Sequence, residues 1–62
     1  MKLELAVEIV RIAAPIYAAL MAEELAANSV YAQTSVCRRA TMATAISHAC
    51  ELRRACLEAR YD

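Results

Sequence analysis

"NSVYAQTS", residues 28–35, is the stretch on which the fold of this chain turns. It is the one segment weak in helix formers, and it lies between two alanine-rich arms of similar length. Read as a break, it gives an antiparallel helical hairpin; read as helix, it leaves a single rod for a coiled coil. The break is preferred, because the segment supplies the residues a turn needs. Asn28 is the residue best suited to a left-handed C-cap in a chain with no glycine. Ser29 or Thr34 can then cap the second helix. The pattern predicts a single helical-hairpin domain over residues 1–62: helix 3–27, turn 28–34, helix 35–60. Each arm is about 40 Å long at 1.5 Å per residue.

The first arm, projected at about 100° per residue, sets Glu4, Glu8, Arg11 and Pro15 on one narrow stripe. Leu5, Ile9, Ile12, Ile16 and Leu20 line one flank. Leu3, Val7, Val10, Ala14, Tyr17, Met21 and Leu25 line the other. Pro15 sits on the wet stripe, where the carbonyl of Arg11 loses its amide donor but can take water, so a bend is expected there rather than a stop. In the second arm Met42, Ala45, Ala49, Leu52, Cys56 and Ala59 recur at alternating spacings of three and four. That is a heptad-like seam of small residues, which allows close helix approach. A second apolar band, Val36, Ala43, Ile46, Cys50, Leu57 and Tyr61, runs on roughly the opposite side.

Both arms are thus apolar around well over half their circumference, a property of helices that are buried. A lone hairpin offers each helix a single inner face and would leave a large apolar patch in water. Self-association into a helical bundle, most simply a twofold four-helix dimer, resolves this. The interface is expected from Leu3, Val7, Val10, Tyr17 and Met21 of the first helix, with Met42, Ala45, Ala49, Leu52 and Cys56 of the second.

Composition agrees. A chain of 62 residues buries only about 60% of its unfolded surface and normally needs a disulfide, a metal or a partner. Here 61% of residues are hydrophobic, against about 45–50% in ordinary domains. There is no glycine, one proline, and no run of alternating strand formers. The net charge is zero but unevenly placed. Residues 1–27 carry Lys2 and Arg11 against four glutamates, a net −2; residues 28–62 carry five arginines against Glu51, Glu58 and Asp62, a net +2. Neither half is basic enough to announce nucleic acid.

Three cysteines without paired spacing argue against a secreted disulfide framework. Glu4, Glu8 and Arg11 interrupt any signal-peptide core. The longest uncharged run there, residues 12–22, is half of the roughly 20 residues a bilayer span needs. The polar stripe of the first helix is acidic, the wrong sign for an anionic lipid surface. A cytoplasmic protein with no membrane partner is the expectation.

"ISHACELRRAC", residues 46–56, raises the question of chemistry. On a helix His48 and Cys50 point about 160° apart, and Cys50 and Cys56 are separated by about 120° and roughly 9 Å of rise. Zinc ligands must converge within about 2.3 Å of one ion, so packing is the expected role. Cys37, beside Arg38 and Arg39, is the one thiol placed for redox sensing. His48 is expected at the core or rim of the bundle, or as a pH-sensitive contact between copies. No nucleophile–base spacing and no phosphate-binding glycine loop are present, so no catalytic residue, metal or cofactor is expected. Arg39, Arg53 and Arg60 fall within about 60° of one another and form the best nucleic-acid stripe. Apolar Met42, Ile46 and Leu57 interleave it, which suits a protein interface equally well. A protein partner is therefore expected first, with nucleic acid as the alternative. Tyr31, Arg38, Arg39, Arg53 and Arg60 are the residues expected to face it.

"HACELRRACLEARY", residues 48–61, resembles the end of the second helix of the Rop family of plasmid copy-number regulators, through His48–Ala49, Glu51–Leu52, Arg54, Cys56–Leu57 and the terminal arginine–aromatic pair Arg60–Tyr61. The resemblance implies a hairpin that dimerises into a four-helix bundle and binds paired RNA loops. That family binds RNA mainly through polar and basic residues of its first helix, where this chain has Glu4, Glu8, Glu23 and Glu24. The alanine-spaced "ATAISHACELRRACLEAR", residues 43–60, also looks like small proteins of phages and prophages. That likeness implies a regulator, or an inhibitor of a host protein.

Overall fold

The computed structural model describes residues 2–59, and among them there is no strand. Helix α1 spans Leu3–Ala27, a single helical turn α2 spans Ser29–Ala32, and α3 spans Ser35–Ala59. The long helices fold back on each other: Glu8, near the start of α1, meets Arg53, near the end of α3. The longest dimension is 44 Å, whereas a rod of the same residues would run to about 87 Å at 1.5 Å per residue. The fold is an all-α antiparallel hairpin.

The turn is made differently from the expected left-handed cap. Asn28 is extended, at φ −158° and ψ 93°, and no residue described has positive φ. Its backbone N–H donates to the Glu24 carbonyl at 2.8 Å, closing α1. Its Oδ1 accepts from the Tyr31 N–H at 3.1 Å, capping α2. An extended asparagine can end one helix and start the next without any residue entering the left-handed region. Thr34 repeats the device: its hydroxyl donates to the Tyr31 carbonyl at 2.7 Å and accepts from the Cys37 N–H at 3.2 Å. Of the two candidate caps for the second long helix, Thr34 holds the place and Ser29 opens α2 instead. At the other end of the molecule Lys2 makes no side-chain cap, and Glu4 in the first turn is the only favourable charge for the helix dipole.

Pro15 lies inside an unbroken α1 and is exposed. The core between the helices is built from small residues: Ala13, Ala45 and Ala49, with Ile9, against which Leu5, Ile12, Ile16, Tyr17 and Cys50 pack. On α3 the enclosed stripe advances four residues at a time through Cys37, Thr41, Ala45 and Ala49. This differs from the expected three–four seam, of which only Ala45 and Ala49 are enclosed. A row at spacing four is a natural ridge of a helix, and small side chains along it let α1 approach closely. Met42 and Leu52, larger, flank the contact instead. Thr41 is tolerated inside because its hydroxyl donates to the Cys37 carbonyl at 2.8 Å.

The molecule measures 44 × 24 × 13 Å. The last figure is little more than the 10–12 Å diameter of one helix with its side chains. The hairpin is a single layer.

Candidate functional site

On one broad face, between α1 and α3, runs a groove with Ala13 and Ala45 as floor. Val10, Ala14 and Tyr17 form one wall, and Met42 and Ile46 the other. The lining is wholly apolar. Its volume of about 290 Å³ lies just below the roughly 300–1,000 Å³ of small-molecule pockets, so it suits inserted side chains better than a cofactor. Val10 is 60% exposed and Met42 and Ile46 are 46% exposed each, far from the enclosure such residues find in a finished core. Through Val10 the apolar surface continues along α1 to Val7 and Leu3, both exposed.

The residues expected at an interface between copies divide into three groups. Leu3, Val7, Val10 and Met42 are exposed on or beside this groove, with Tyr17 half-buried in its wall and Met21 half-buried further along α1. Ala45 and Ala49, 1% and 0% exposed, are instead covered by α1 of the same chain. Leu52 and Cys56 are exposed beside a separate depression with Glu8 and Ile12. Ile46 was missed as a companion of Met42. The signal was their spacing of four, hidden by assigning the two residues to opposite bands.

The residues expected to face a partner do not form one surface. Tyr31, half-exposed on α2, borders a more polar hollow at the turn with Glu24, Cys37, Thr41 and Thr44. Arg38 and Arg39 are exposed on the first turns of α3. Arg53 is half-buried, its Nε 3.2 Å from Oε1 of Glu8. The N–H does not point along that line, and the buried Nε has no hydrogen-bond acceptor. The contact is an ion pair without a directed hydrogen bond. Arg53 therefore ties the open end of the hairpin together and interrupts the stripe expected from Arg39 to Arg60. Arg60 and Tyr61 lie outside the described residues.

All three cysteines are free thiols. Cys37, expected to be the reactive one, is 2% exposed, with Sγ 3.9 Å from the Thr41 hydroxyl. Enclosure removes the access that thiol chemistry requires. Its arginine neighbours in sequence sit on other faces of the helix. Cys50 is half-buried against the core and Cys56 is exposed. His48 is exposed rather than set in a core. Among the described residues no group of three or more histidine, cysteine or acidic side chains is placed to hold a metal ion.

By length and composition α1 is apolar enough to cross a membrane, and only 11% of its most apolar window is buried in the hairpin. Its longest uncharged run, residues 12–22, is shorter than a span. Glu8 and Arg11 break the run but leave the average apolar. No protein-family model, curated protein or solved structure matches the chain.

Proposed function

We propose that the chain is a small non-catalytic interaction protein that self-associates into a four-helix bundle, most simply a twofold dimer, and acts by binding a macromolecule. One observation carries this reading: a layer 13 Å thick bears a wholly apolar groove on its broad face. Stable domains enclose their apolar surface between at least two layers. Each large side chain such as Val10, Met42 or Ile46 would contribute about 1.5–3 kcal/mol if taken from full exposure to full burial. A second hairpin supplies the missing layer with the same helix-on-helix packing.

The partner is a protein, met by the exposed Tyr31, Arg38 and Arg39 near the turn. This is the chemistry of a phage-type regulator or an inhibitor of a host protein, carried out in the cytoplasm without metal or cofactor. The second reading, a Rop-like RNA regulator, draws on the hairpin architecture and on exposed Arg38, Arg39 and Arg54. The pairing of Arg53 with Glu8 weakens it by dividing the basic stripe.

Sedimentation equilibrium at micromolar concentration tests the assembly. A mass of twice 6.8 kDa, or a higher multiple, is expected; a compact single chain overturns the reading. Gel shift with RNA hairpins at rising salt separates the two partner classes, because phosphate-driven affinity falls steeply as salt increases.

A further inference from the structure

With their helices aligned, two flat hairpins can meet face to face under twofold symmetry in two ways. If the axis runs along the helices, α1 of each copy lies on α3 of the other and both turns come to the same end. If the axis runs across them, α1 lies on α1, α3 on α3, and the turns point to opposite ends. We propose the first arrangement: the second copy docks about an axis parallel to the helices, α1 against α3, with the two turns side by side. This rests on the self-association put forward above and specifies its geometry.

Charge decides between the two. Within Leu3–Ala27 one arginine stands against four glutamates, net −3; within Ser35–Ala59 four arginines stand against two glutamates, net +2. The opposite charges also match along the length. Glu23 and Glu24 lie on α1 at the turn end, where α3 carries Arg38 and Arg39. Glu8 and Arg53 are already paired within one copy, but Glu4 lies at the same open end, where α3 carries the exposed Arg54. Stacking α1 on α1 would set like charges together at both ends; stacking α1 on α3 alternates them around the bundle. Like charges across an interface are a strong bar to the wrong arrangement.

The face itself is self-complementary, as an isologous contact must be. The Met42–Ile46 ridge of one copy and the alanine-floored groove of the other lie on the same surface. Its extent is sufficient: a face 44 × 24 Å projects to roughly 1,000 Å², against the about 800 Å² per partner of a standard interface. The result is a particle with both copies of the exposed Tyr31, Arg38 and Arg39 toward one end.

Two measurements test this. The first is pulsed dipolar spectroscopy on Gln33→Cys, spin-labelled at the turn, with Cys37, Cys50 and Cys56 changed to alanine. The proposal expects dimers with label separations of one to two helix spacings, about 10–20 Å. A dimer with separations near the 44 Å length of the hairpin overturns the arrangement and leaves self-association standing. A monomer by sedimentation overturns self-association itself, and a monomer that floats with neutral lipid vesicles assigns the face to lipid. The second measurement uses the unaltered chain. Raising salt from 50 to 500 mM should weaken the dimer severalfold, because screening removes an attraction. Dimerisation strengthened by salt means that like charges face each other and overturns the proposal.

Discussion

Between the helices α3 presents small, enclosed alanines to Ile9 and its neighbours on α1; on the broad face the apolar residues are large and open. Ala13, Ala45 and Ala49 are 6%, 1% and 0% exposed, while Val10, Met42 and Ile46 stand 46–60% exposed a few ångströms of helix surface away. A protein made to work alone puts its bulkiest aliphatics in the middle. Here the alanine seam of α3 brings α1 and α3 close, and Val10, Met42 and Ile46 are left half-exposed on the outside.

The comparison breaks most sharply on the outer side. Val10→Glu combined with Ile46→Glu should raise the dimer dissociation constant by two orders of magnitude or more: each side chain has about half of its 1.5–3 kcal/mol left to gain, the twofold counts both sites twice, and about 1.4 kcal/mol is tenfold. Sedimentation velocity against concentration measures it. An unchanged constant would mean that the groove is not the contact. On the inner side, Ala45→Leu should destabilise the hairpin by about 1–3 kcal/mol, because a seam this close has no room for three more carbons. Thermal unfolding followed by circular dichroism reads this as a lowered midpoint. The opposite result, a stabilised protein, would show the seam to be loosely packed.

How far these surfaces could be read in the residues varies by position. Alanine content and the polar break settled the helices, and Glu4, Glu8, Arg11 and Pro15 marked the wet stripe of α1 correctly. The turn was legible in its residue types and illegible in its conformation. Asn28 suits both a left-handed cap and an extended one, and only the placement of Tyr31 selects the second. The inner stripe of α3 was hidden for a related reason. Alanine is apolar at any position, so a three–four seam through Leu52 and Cys56 fits the letters as well as a four–four ridge through Cys37 and Thr41. The Glu8–Arg53 pair joins residues 45 apart, beyond any local periodicity.

Smaller effects sharpen the contrast between the two ends of the hairpin. Thr34→Ala removes a cap and an anchor to the Tyr31 carbonyl, and should cost about 1 kcal/mol. Hydrogen exchange should show the loss first in the amides of Ser35–Cys37. At the open end, Glu8→Gln removes a half-exposed ion pair that lacks a directed hydrogen bond. It should cost only about 0.2–1 kcal/mol, vanishing in high salt. A larger loss from Glu8→Gln than from Thr34→Ala would invert the view that the turn is the better-fastened end.

Being one helix thick has a consequence for how such a chain persists. When the second layer is another molecule, the folded population obeys mass action and grows with the number of copies present. Dilution then loosens the hairpin and opens its backbone to proteases, so abundance sets lifetime. Regulation of this protein would need no dedicated degradation signal, because falling expression would by itself hasten removal of the copies that remain.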